Sequence, residues 1–277
     1  MKKLIAVVLT LASVGVLFAA GNKENDLISV ITREDGSGTR GAFVEIVGLD
    51  ESGSDETTLD AIVHDGTGKV ITAVQNDVNA IGYISLGSLN DTVKGLSIDG
   101  VAPSVANIQN GSYKVARPFN IAFGNNLSDL AKDFIEFIKC DDSQEIAAKS
   151  GFIPIYEGNS YTGSGMSGTL AIGGSTSVFP LMEKLAEAYK KINPNVTINI
   201  EGIGSSAGVK GAIAGTFDIG MASRGLKSSE LEKINGMEIA QDGIAIVVNN
   251  GNGLANLALS QVKEIYLGNV TNFSEVK

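Results

Sequence analysis

The chain has 277 residues, of which 43% are hydrophobic and 19% charged, a balance typical of a folded globular protein. Its formal net charge of −10 argues against nucleic acid and anionic membranes as partners, and the few aromatic residues argue against stacking surfaces. The single cysteine, Cys140, and the single histidine, His64, allow no intrachain disulfide and leave almost no ligands for zinc, so no metal or cofactor is expected.

The N-terminus has the features of a secretory signal over residues 1–20. Two lysines are followed by an apolar run of 15 residues, Leu4–Phe18, and then by two alanines. The run is short for a membrane span, although a short membrane anchor is an alternative. A lipoprotein would have a cysteine where Gly21 stands. We therefore expect an exported protein, periplasmic or at the cell surface, with no lipobox cysteine.

The first half of the mature chain opens with a β-branched run, Leu27–Thr32, which predicts a buried strand. A polar turn, Arg33–Arg40, follows it and leads into an apolar-periodic helix. Further along, the pattern predicts a helix at Gly68–Gln75, a strand at Ala80–Leu86 and two short helices at Ala131–Ile138 and Ser143–Ser150.

The second half follows residues 158–168, the most linker-like stretch of the chain, which consists mainly of Gly, Ser and Thr. A strand at Thr169–Ile172 then leads through a Gly/Ser turn into a helix whose apolar face includes Phe179 and Tyr189. Further strands are predicted at Val196–Ile200, Asp218–Met221 and Gly243–Val248. Strands alternate with helices through short turns, which indicates an α/β fold with largely parallel sheets.

Three segments share one design, in which a buried strand is followed by a Gly/Ser/Thr turn and then a helix. They are Gly36–Thr39, Gly174–Ser177 and Gly204–Ala207. A helix start carries unpaired N–H groups and a partial positive charge, glycine permits close approach, and hydroxyls add donors. Each turn alone also fits an ordinary N-cap. Three of them meeting at one point, with Arg33 and Arg40 beside the first, would bind a small tetrahedral oxyanion.

Several segments resemble signature segments of the phosphate-binding proteins of bacterial ABC importers. They are ITREDGSGTR (31–40), AIGYISLG (80–87), NGSYKVARPF (110–119), SGFIPI (150–155), GGSTSVFPLMEKLAEAYKK (173–191), GIGSSAGVK (202–210) and DIGMASRGL (218–226). The resemblance covers nearly the whole mature chain. It implies two α/β lobes, each a mixed, mostly parallel sheet flanked by helices, that close over phosphate around a hinge. It also implies a monomeric solute-binding protein that delivers inorganic phosphate to ABC permease subunits, without catalysis.

The same resemblance assigns roles to individual residues. The phosphate contacts fall on Arg33, Ser37, Gly38, Thr39, Thr176, Ser177 and Ser205. Asp35 resembles the acidic residue that orients the arginine, and Arg40 and Ser223 are expected to support the site. Some family members have an aspartate where Ser223 stands, so discrimination against sulfate is open. Another tetrahedral oxyanion is therefore an alternative ligand, and a phosphate sensor on the same scaffold is an alternative function.

The segments stand in a different order from that of the family, which begins with the GGSTS strand and ends near GFIPI. Here residues 169–277 correspond to the family's beginning and residues 27–155 to its end. This order indicates a circular permutation, natural or engineered, in which the linker at 158–168 joins the family's usual termini. Asp26 and Lys277 would then flank a cut in one connection, so we expect them to lie near each other.

The permutation also predicts how the chain divides between lobes. One lobe is expected at 90–249, containing the linker, and the other, discontinuous, at 26–89 plus 250–277. The hinge would then fall near Ser88–Thr92 and Asn249–Leu254.

Two enzyme motifs are matched only in part. Gly204–Gly208 fits the G-x-S-x-G nucleophile elbow, with Ser206 as the nucleophile of a serine hydrolase. Such an enzyme needs a base, and His64 stands in a loop entering a helix, where capping or surface roles are commoner. Asp65–Val70 approaches a phosphate-loop pattern but lacks its Ser or Thr, so a turn and helix start is favoured.

Overall fold

The computed structural model describes residues 26–276, and the predicted signal over residues 1–20 lies outside that part of the chain. Its strands are β1 Ser29–Arg33, β2 Ile62–His64, β3 Ala80–Ser85, β4 Val93–Gly95, β5 Ser97–Ile98, β6 Ala116–Phe123, β7 Ser167–Gly174, β8 Asn195–Gly202, β9 Ile219–Ala222, β10 Asn235–Asn249 and β11 Asn256–Leu257. Its α-helices are α1 Gly38–Val47, α2 Thr67–Asn76, α3 Val105–Gln109, α4 Asp129–Ile138, α5 Asp141–Lys149, α6 Phe179–Ile192, α7 Ser205–Ala214, α8 Ser228–Leu231 and α9 Leu259–Leu267. Within residues 26–276, no helix combines the length and apolar character needed to cross a bilayer.

One curled, mixed sheet runs through the molecule in the order β2-β1-β3-β10-β6-β9-β7-β8, and β4 also pairs with β10. The pairs β1–β2, β1–β3, β7–β8 and β7–β9 are parallel, whereas β10 is antiparallel to its neighbours. In β10, residues 235–243 pair with β6, and residues 244–249 pair with β3 and β4. A single 15-residue strand therefore belongs to both halves of the fold.

The apolar cores define two lobes, so the predicted two-lobed α/β architecture is confirmed. One core is formed by residues between Phe119 and Ala240. The other core is formed by residues 28–115, Ile153 and residues 244–273. We call the first the continuous lobe and the second the discontinuous lobe.

The packing places the lobe boundaries elsewhere than the sequence suggested. The lobe expected at 90–249 includes residues 93–115 and 244–248. In the structure these residues pack in the core of the discontinuous lobe. The expected hinge segments lie inside that lobe, where the Asn250 side-chain amide donates to the Asp91 carbonyl at 2.7 Å. We place the crossings within β6 and β10. Both strands continue through the junction, with Pro118 inside β6 and Gly243 inside β10, so the chain does not break there.

A buried ion pair lies at this junction. Arg117 of β6 and Asp242 of β10 are register partners, and Arg117 Nη2 lies 3.0 Å from Asp242 Oδ2. Asp242 Oδ1 also accepts a hydrogen bond from Ser85 Oγ, at the end of β3, at 3.0 Å. Burial lowers the pKa of Arg117 and raises that of Asp242, and their mutual attraction opposes both shifts. The pair ties the crossing strands to the discontinuous lobe.

The two ends of the predicted cut lie close together as far as the structure describes them. The Asp26 carbonyl accepts the Phe273 N–H at 3.2 Å, and Asp26 Oδ2 accepts the Ser274 N–H at 2.7 Å. Lys277 itself lies outside the described residues.

The Gly/Ser linker at 158–168 packs on the continuous lobe. The Tyr161 ring meets the Phe137 ring edge-on, with centroids 5.2 Å apart. Asn193 Oδ1 accepts the backbone N–H groups of Ser164 and Gly165, both at 3.1 Å. This segment has the composition of a flexible linker, but specific contacts hold it on the continuous lobe.

Close backbone packing sets the position of α7. A Cβ at Gly208 would lie 2.4 Å from the Gly173 carbonyl oxygen and from Gly174 Cα, so only glycine lets α7 approach β7 this closely. Gly174 has φ of +144°, and a Cβ there would lie 2.2 Å from the Met221 carbonyl oxygen. These glycines bring the N-terminus of α7 to the carboxyl ends of β7 and β9.

Candidate functional site

Hydroxyl groups from both lobes meet where the lobes face each other. Thr39 Oγ1 of α1 lies 2.9 Å from Ser177 Oγ in the turn before α6. Thr67 Oγ1, at the start of α2, lies 3.3 Å from both Thr176 Oγ1 and Ser177 Oγ. Two predicted turns, Gly36–Thr39 and Gly174–Ser177, are therefore in direct contact.

The third predicted turn joins the same place. A Cβ at Gly38 would lie 2.3 Å from Ser205 Oγ and 2.8 Å from Ser223 Oγ, so the α1 backbone approaches these hydroxyls closely. Ser205 Oγ accepts the Ser223 backbone N–H at 3.1 Å. The Ser206 N–H donates to the Gly36 carbonyl at 3.0 Å, directly between the lobes. The N-termini of α1, α2, α6 and α7 converge, and their partial positive charges add at one point.

Arg33 is the last residue of β1 and is buried, with 2% of its surface exposed. Its Nε and Nη2 donate to the two Glu34 carboxylate oxygens at 2.7 and 2.8 Å. Nη2 also donates to Thr176 Oγ1 at 3.1 Å, and Nη1 makes longer contacts of 3.4 and 3.5 Å with Thr67 and Thr39. Glu34 thus balances the guanidinium charge, and the other N–H groups face the hydroxyl cluster.

The prediction that Asp35 orients the arginine is wrong, since Glu34 does so. The Asp35 side chain is 99% exposed and pairs with Arg40 Nη1 at 3.0 Å. Glu34 leaves the strand directly after Arg33 and turns back, and its Oε2 also accepts the Gly66 N–H at 3.2 Å. The sequence offered two adjacent acids, and only the turn geometry decides between them.

Ser37 and Arg40 hold the turn around the arginine. Ser37 is the N-cap of α1, and its Oγ accepts the Arg40 N–H at 3.3 Å, which leaves its own O–H as a donor. Arg40 Nη1 donates to the Arg33 carbonyl at 3.0 Å, and Arg40 Nε donates to Asp55 at 2.7 Å. Arg40 therefore forms ion pairs with two carboxylates, those of Asp35 and Asp55. It contacts Arg33 only through the Arg33 backbone carbonyl.

Tyr83 fixes the end of β1 from behind. Its hydroxyl accepts the Arg33 backbone N–H at 3.2 Å and lies 2.8 Å from Thr32 Oγ1. The ring stacks on Phe43 with centroids 3.9 Å apart. Burial raises the pKa of Tyr83 to about 12, so this phenol stays neutral at physiological pH.

Thr67 is a site residue that sequence reasoning missed. It is 5% exposed and begins α2, whose N-cap residue, Gly66, makes no side-chain cap. The signal was present, because Gly66-Thr67-Gly68 has the same glycine and hydroxyl composition as the three predicted turns. The sequence predicts only a turn and helix start here, and the preceding strand, β2, is short and largely exposed, unlike β1.

The cluster consists almost entirely of hydrogen-bond donors. Both carboxylate oxygens of Glu34 already accept hydrogen bonds, and the hydroxyls can rotate to donate. Within residues 26–276, no group of His, Cys, Asp and Glu is arranged to hold a metal ion. Such a donor set complements a small oxyanion.

Ser206, the candidate nucleophile, has a different partner from the one a hydrolase requires. Its Oγ accepts a 3.4 Å hydrogen bond from Arg224 Nη2, and Arg224 forms a bidentate pair with Glu230 at 2.8 Å. In the described chain, no hydrogen bond joins Ser206 to His64, whose backbone carbonyl accepts the Glu34 N–H. The arrangement contains no serine–histidine relay.

Comparison with known proteins gives matches over most of the chain. The model of the PBP superfamily domain matches residues 18–142 and 159–276. The phosphate-binding protein PstS 2 of Streptococcus pneumoniae is 45% identical over 285 residues, which cover 97% of this chain and 98% of the relative. The crystal structure of a phosphate-binding protein of a phosphate ABC transporter from S. pneumoniae has a TM-score of 0.72 at 46% identity, covering 91% of this chain and 100% of that chain.

Other relatives match over a shorter length. The phosphate-binding protein PstS of Staphylococcus haemolyticus is 37% identical over 111 residues, which cover 37% of this chain and 35% of the relative.

Proposed function

Since this chain belongs to the family of phosphate-binding proteins of bacterial phosphate ABC importers, we propose that it captures inorganic phosphate between its two lobes outside the cytoplasm. It then delivers the phosphate to the permease subunits of an ABC transporter. The observation that carries the proposal is the convergence of four helix N-termini, four hydroxyls and Arg33 at one buried place shared by both lobes. Donors from both lobes mean that a bound anion stabilises the closed form.

The proposed ligand contacts combine the predicted residues with Thr67. Phosphate is contacted by seven residues, which are Arg33, Gly38, Thr39, Thr67, Thr176, Ser177 and Ser205. Ser37 adds its free hydroxyl donor, and Arg40, Ser223 and Glu34 support the site. Arg33 supplies the one full positive charge, and hydroxyl and backbone N–H groups supply the remaining donors.

Sulfate is the closest alternative ligand. Ser223 is neutral, and Glu34 is fully engaged, so no free carboxylate in the cluster would repel an oxyanion that carries no proton. Calorimetric titration of the wild-type protein with phosphate and with sulfate distinguishes the two. We expect one phosphate per chain and weaker sulfate binding, and tighter binding of sulfate would reverse the assignment.

Arg33→Ala is the variant that tests the site itself. Losing a charge-assisted donor should weaken phosphate binding by at least ~1.5–3 kcal/mol, or about ten-fold or more in Kd. Lys69→Ala is the matched control, because it removes an exposed cation that pairs only with Asp65, and it should leave Kd within about two-fold. Wild-type affinity in Arg33→Ala would show that the arginine is only structural.

The protein acts by binding rather than catalysis, and the serine hydrolase alternative is not favoured. Ser206→Ala and His64→Ala should both keep phosphate binding, whereas a hydrolase would lose its activity in both.

We also propose that the chain is a natural circular permutation with a secretory signal. The S. pneumoniae relative aligns over nearly its whole length, so it shares this segment order. The contact of Asp26 with Phe273 and Ser274, and the shorter match to the S. haemolyticus protein, support the same interpretation. Export through residues 1–20, without a lipobox cysteine, and a monomeric state are further parts of this proposal.

A further inference from the structure

An open cleft of about 620 Å³ lies directly outside the proposed phosphate site. Asp35 and Gly36 line it from the discontinuous lobe, and Gly204 and Ser206 line it from the continuous lobe. The hydrogen bond from the Ser206 N–H to the Gly36 carbonyl therefore joins the two sides of this cleft. We call this space the outer cleft.

Three lysines, Lys210, Lys227 and Lys233, also line the outer cleft. Lys210 stands one helical turn after Ser206 on α7, so both side chains lie on the same face of that helix. Lys227 and Lys233 flank the short helix α8, and all three side chains are exposed. In the part of the chain that the structure describes, none of the three has an ion-pair partner within 4 Å.

The two acidic residues of the outer cleft are both paired with arginines. Glu230 forms its bidentate pair with Arg224, whereas Asp35 shares the charge of Arg40 with Asp55. Burial alone would raise the pKa of Glu230, but hydrogen bonds from Arg224 and from the Lys227 backbone outweigh it and lower that pKa. The three positive charges of the lysines therefore exceed the remaining negative charge that faces the cleft.

This local charge contrasts with the whole molecule, whose formal net charge is −10. A net negative protein repels a phosphate anion at long range, which slows encounter. A positive patch within about a Debye length of the entrance, ~10 Å at 0.1 M salt, reverses that field where the anion must enter.

We propose that Lys210, Lys227 and Lys233 steer phosphate into the site and so raise its association rate, without contacting the bound ligand. This inference rests on the proposed function, because it assigns a kinetic role beside the same site.

The test compares two triple variants of the full protein. In the first, Lys210→Gln, Lys227→Gln and Lys233→Gln remove the charge of the outer cleft. Rapid mixing with radiolabelled phosphate gives association and dissociation rates at low and high salt. We expect the association rate to fall about 5–10-fold at low salt, with dissociation unchanged. At high salt, where exposed charges are screened, the difference should disappear.

The second variant, Lys132→Gln, Lys190→Gln and Lys191→Gln, makes the same change in net charge away from the cleft. Lys190 and Lys191 lie at the C-terminal end of α6, about 17 Å along the helix from its start at the site. Lys132 lies on α4, and Leu130 of the same helix packs beside Gly168, at the opposite end of β7 from the site. We expect this variant to bind phosphate at nearly the wild-type rate.

Each outcome has a definite meaning. Equal slowing in both variants would assign the effect to net charge and overturn the inference. A wild-type association rate in the first variant, or faster dissociation in place of slower association, would overturn it as well. Failure of the wild-type protein to bind phosphate would instead overturn the proposed function.

Discussion

Arg33 holds a full positive charge at a position that is almost completely buried, and Glu34 makes this burial possible. An unpaired guanidinium there would be strongly destabilising. Glu34 fixes the orientation of the guanidinium, because it accepts hydrogen bonds from Nε and Nη2. The Nη1 contacts with Thr39 and Thr67 are longer, so the Nη1 N–H groups can donate to an anion oxygen instead. The same pair keeps the site close to neutral before an anion enters.

Thr67→Val is the residue-scale prediction that tests the extension of the site to α2. Valine keeps the volume but removes the hydroxyl that contacts Arg33, Thr176 and Ser177. Loss of one neutral hydrogen bond should weaken phosphate binding by ~0.5–1.5 kcal/mol, roughly 2–10-fold in Kd by calorimetry.

Thr72→Val serves as the control on the same helix, since Thr72 is exposed and its hydroxyl donates only to the Gly68 carbonyl. If Thr67→Val binds phosphate as tightly as Thr72→Val does, the fourth helix does not belong to the site.

At this scale the sequence predicted most of the hydroxyl cluster, because a Gly/Ser/Thr turn between strand and helix places its donors predictably. Thr39 contacts Ser177, and Ser205 lies close to Gly38, the residue before Thr39. The choice of Glu34 over Asp35 depends on how the chain leaves β1, which neighbouring residues of the same charge do not reveal.

At the scale of elements, the sequence predicted β1, β3, β7, β8 and β9, but not β6 or the full length of β10. Periodicity predicted only Gly243–Val248, but the strand extends from Asn235. The added residues, NGMEIAQD, pair with β6 in the continuous lobe, and their mixed polarity does not resemble a buried strand. Residues 235–242 form a strand because they pair with β6, which is distant in sequence. The lobe boundary follows from the same pairing.

The crossing strands carry the second prediction. Arg117→Met should leave the Asp242 carboxyl without its ion-pair partner in a fully buried position, so we expect a loss of about 3–5 kcal/mol in the free energy of unfolding. Urea unfolding monitored by circular dichroism measures this loss.

The double variant, Arg117→Met with Asp242→Leu, removes both charges and should be more stable than Arg117→Met alone. Lys139→Met is the control, because it breaks a more exposed pair with Glu136 and should change stability by less than ~1 kcal/mol. A double variant as unstable as Arg117→Met would contradict the assignment of the loss to an uncompensated charge.

At the scale of the whole molecule, the proposed anion site lies at the seam of two lobes, each with its own core. Two strands and a buried ion pair join the lobes, and the helix N-termini of each lobe face those of the other. The order of segments along the chain matters little to this geometry. The site joins residues that are far apart in sequence, such as Thr39 and Ser177. The proposed cut, near Asp26 and Ser274, lies elsewhere on the discontinuous lobe.

The most direct test of this account is a crystal structure of the protein grown with inorganic phosphate. We expect one tetrahedral anion between the lobes, within hydrogen-bond distance of the Arg33 guanidinium, Thr39 Oγ1 and Ser177 Oγ. Phosphate bound at another place, or held by groups of one lobe alone, would contradict the claim that both lobes bind one anion together.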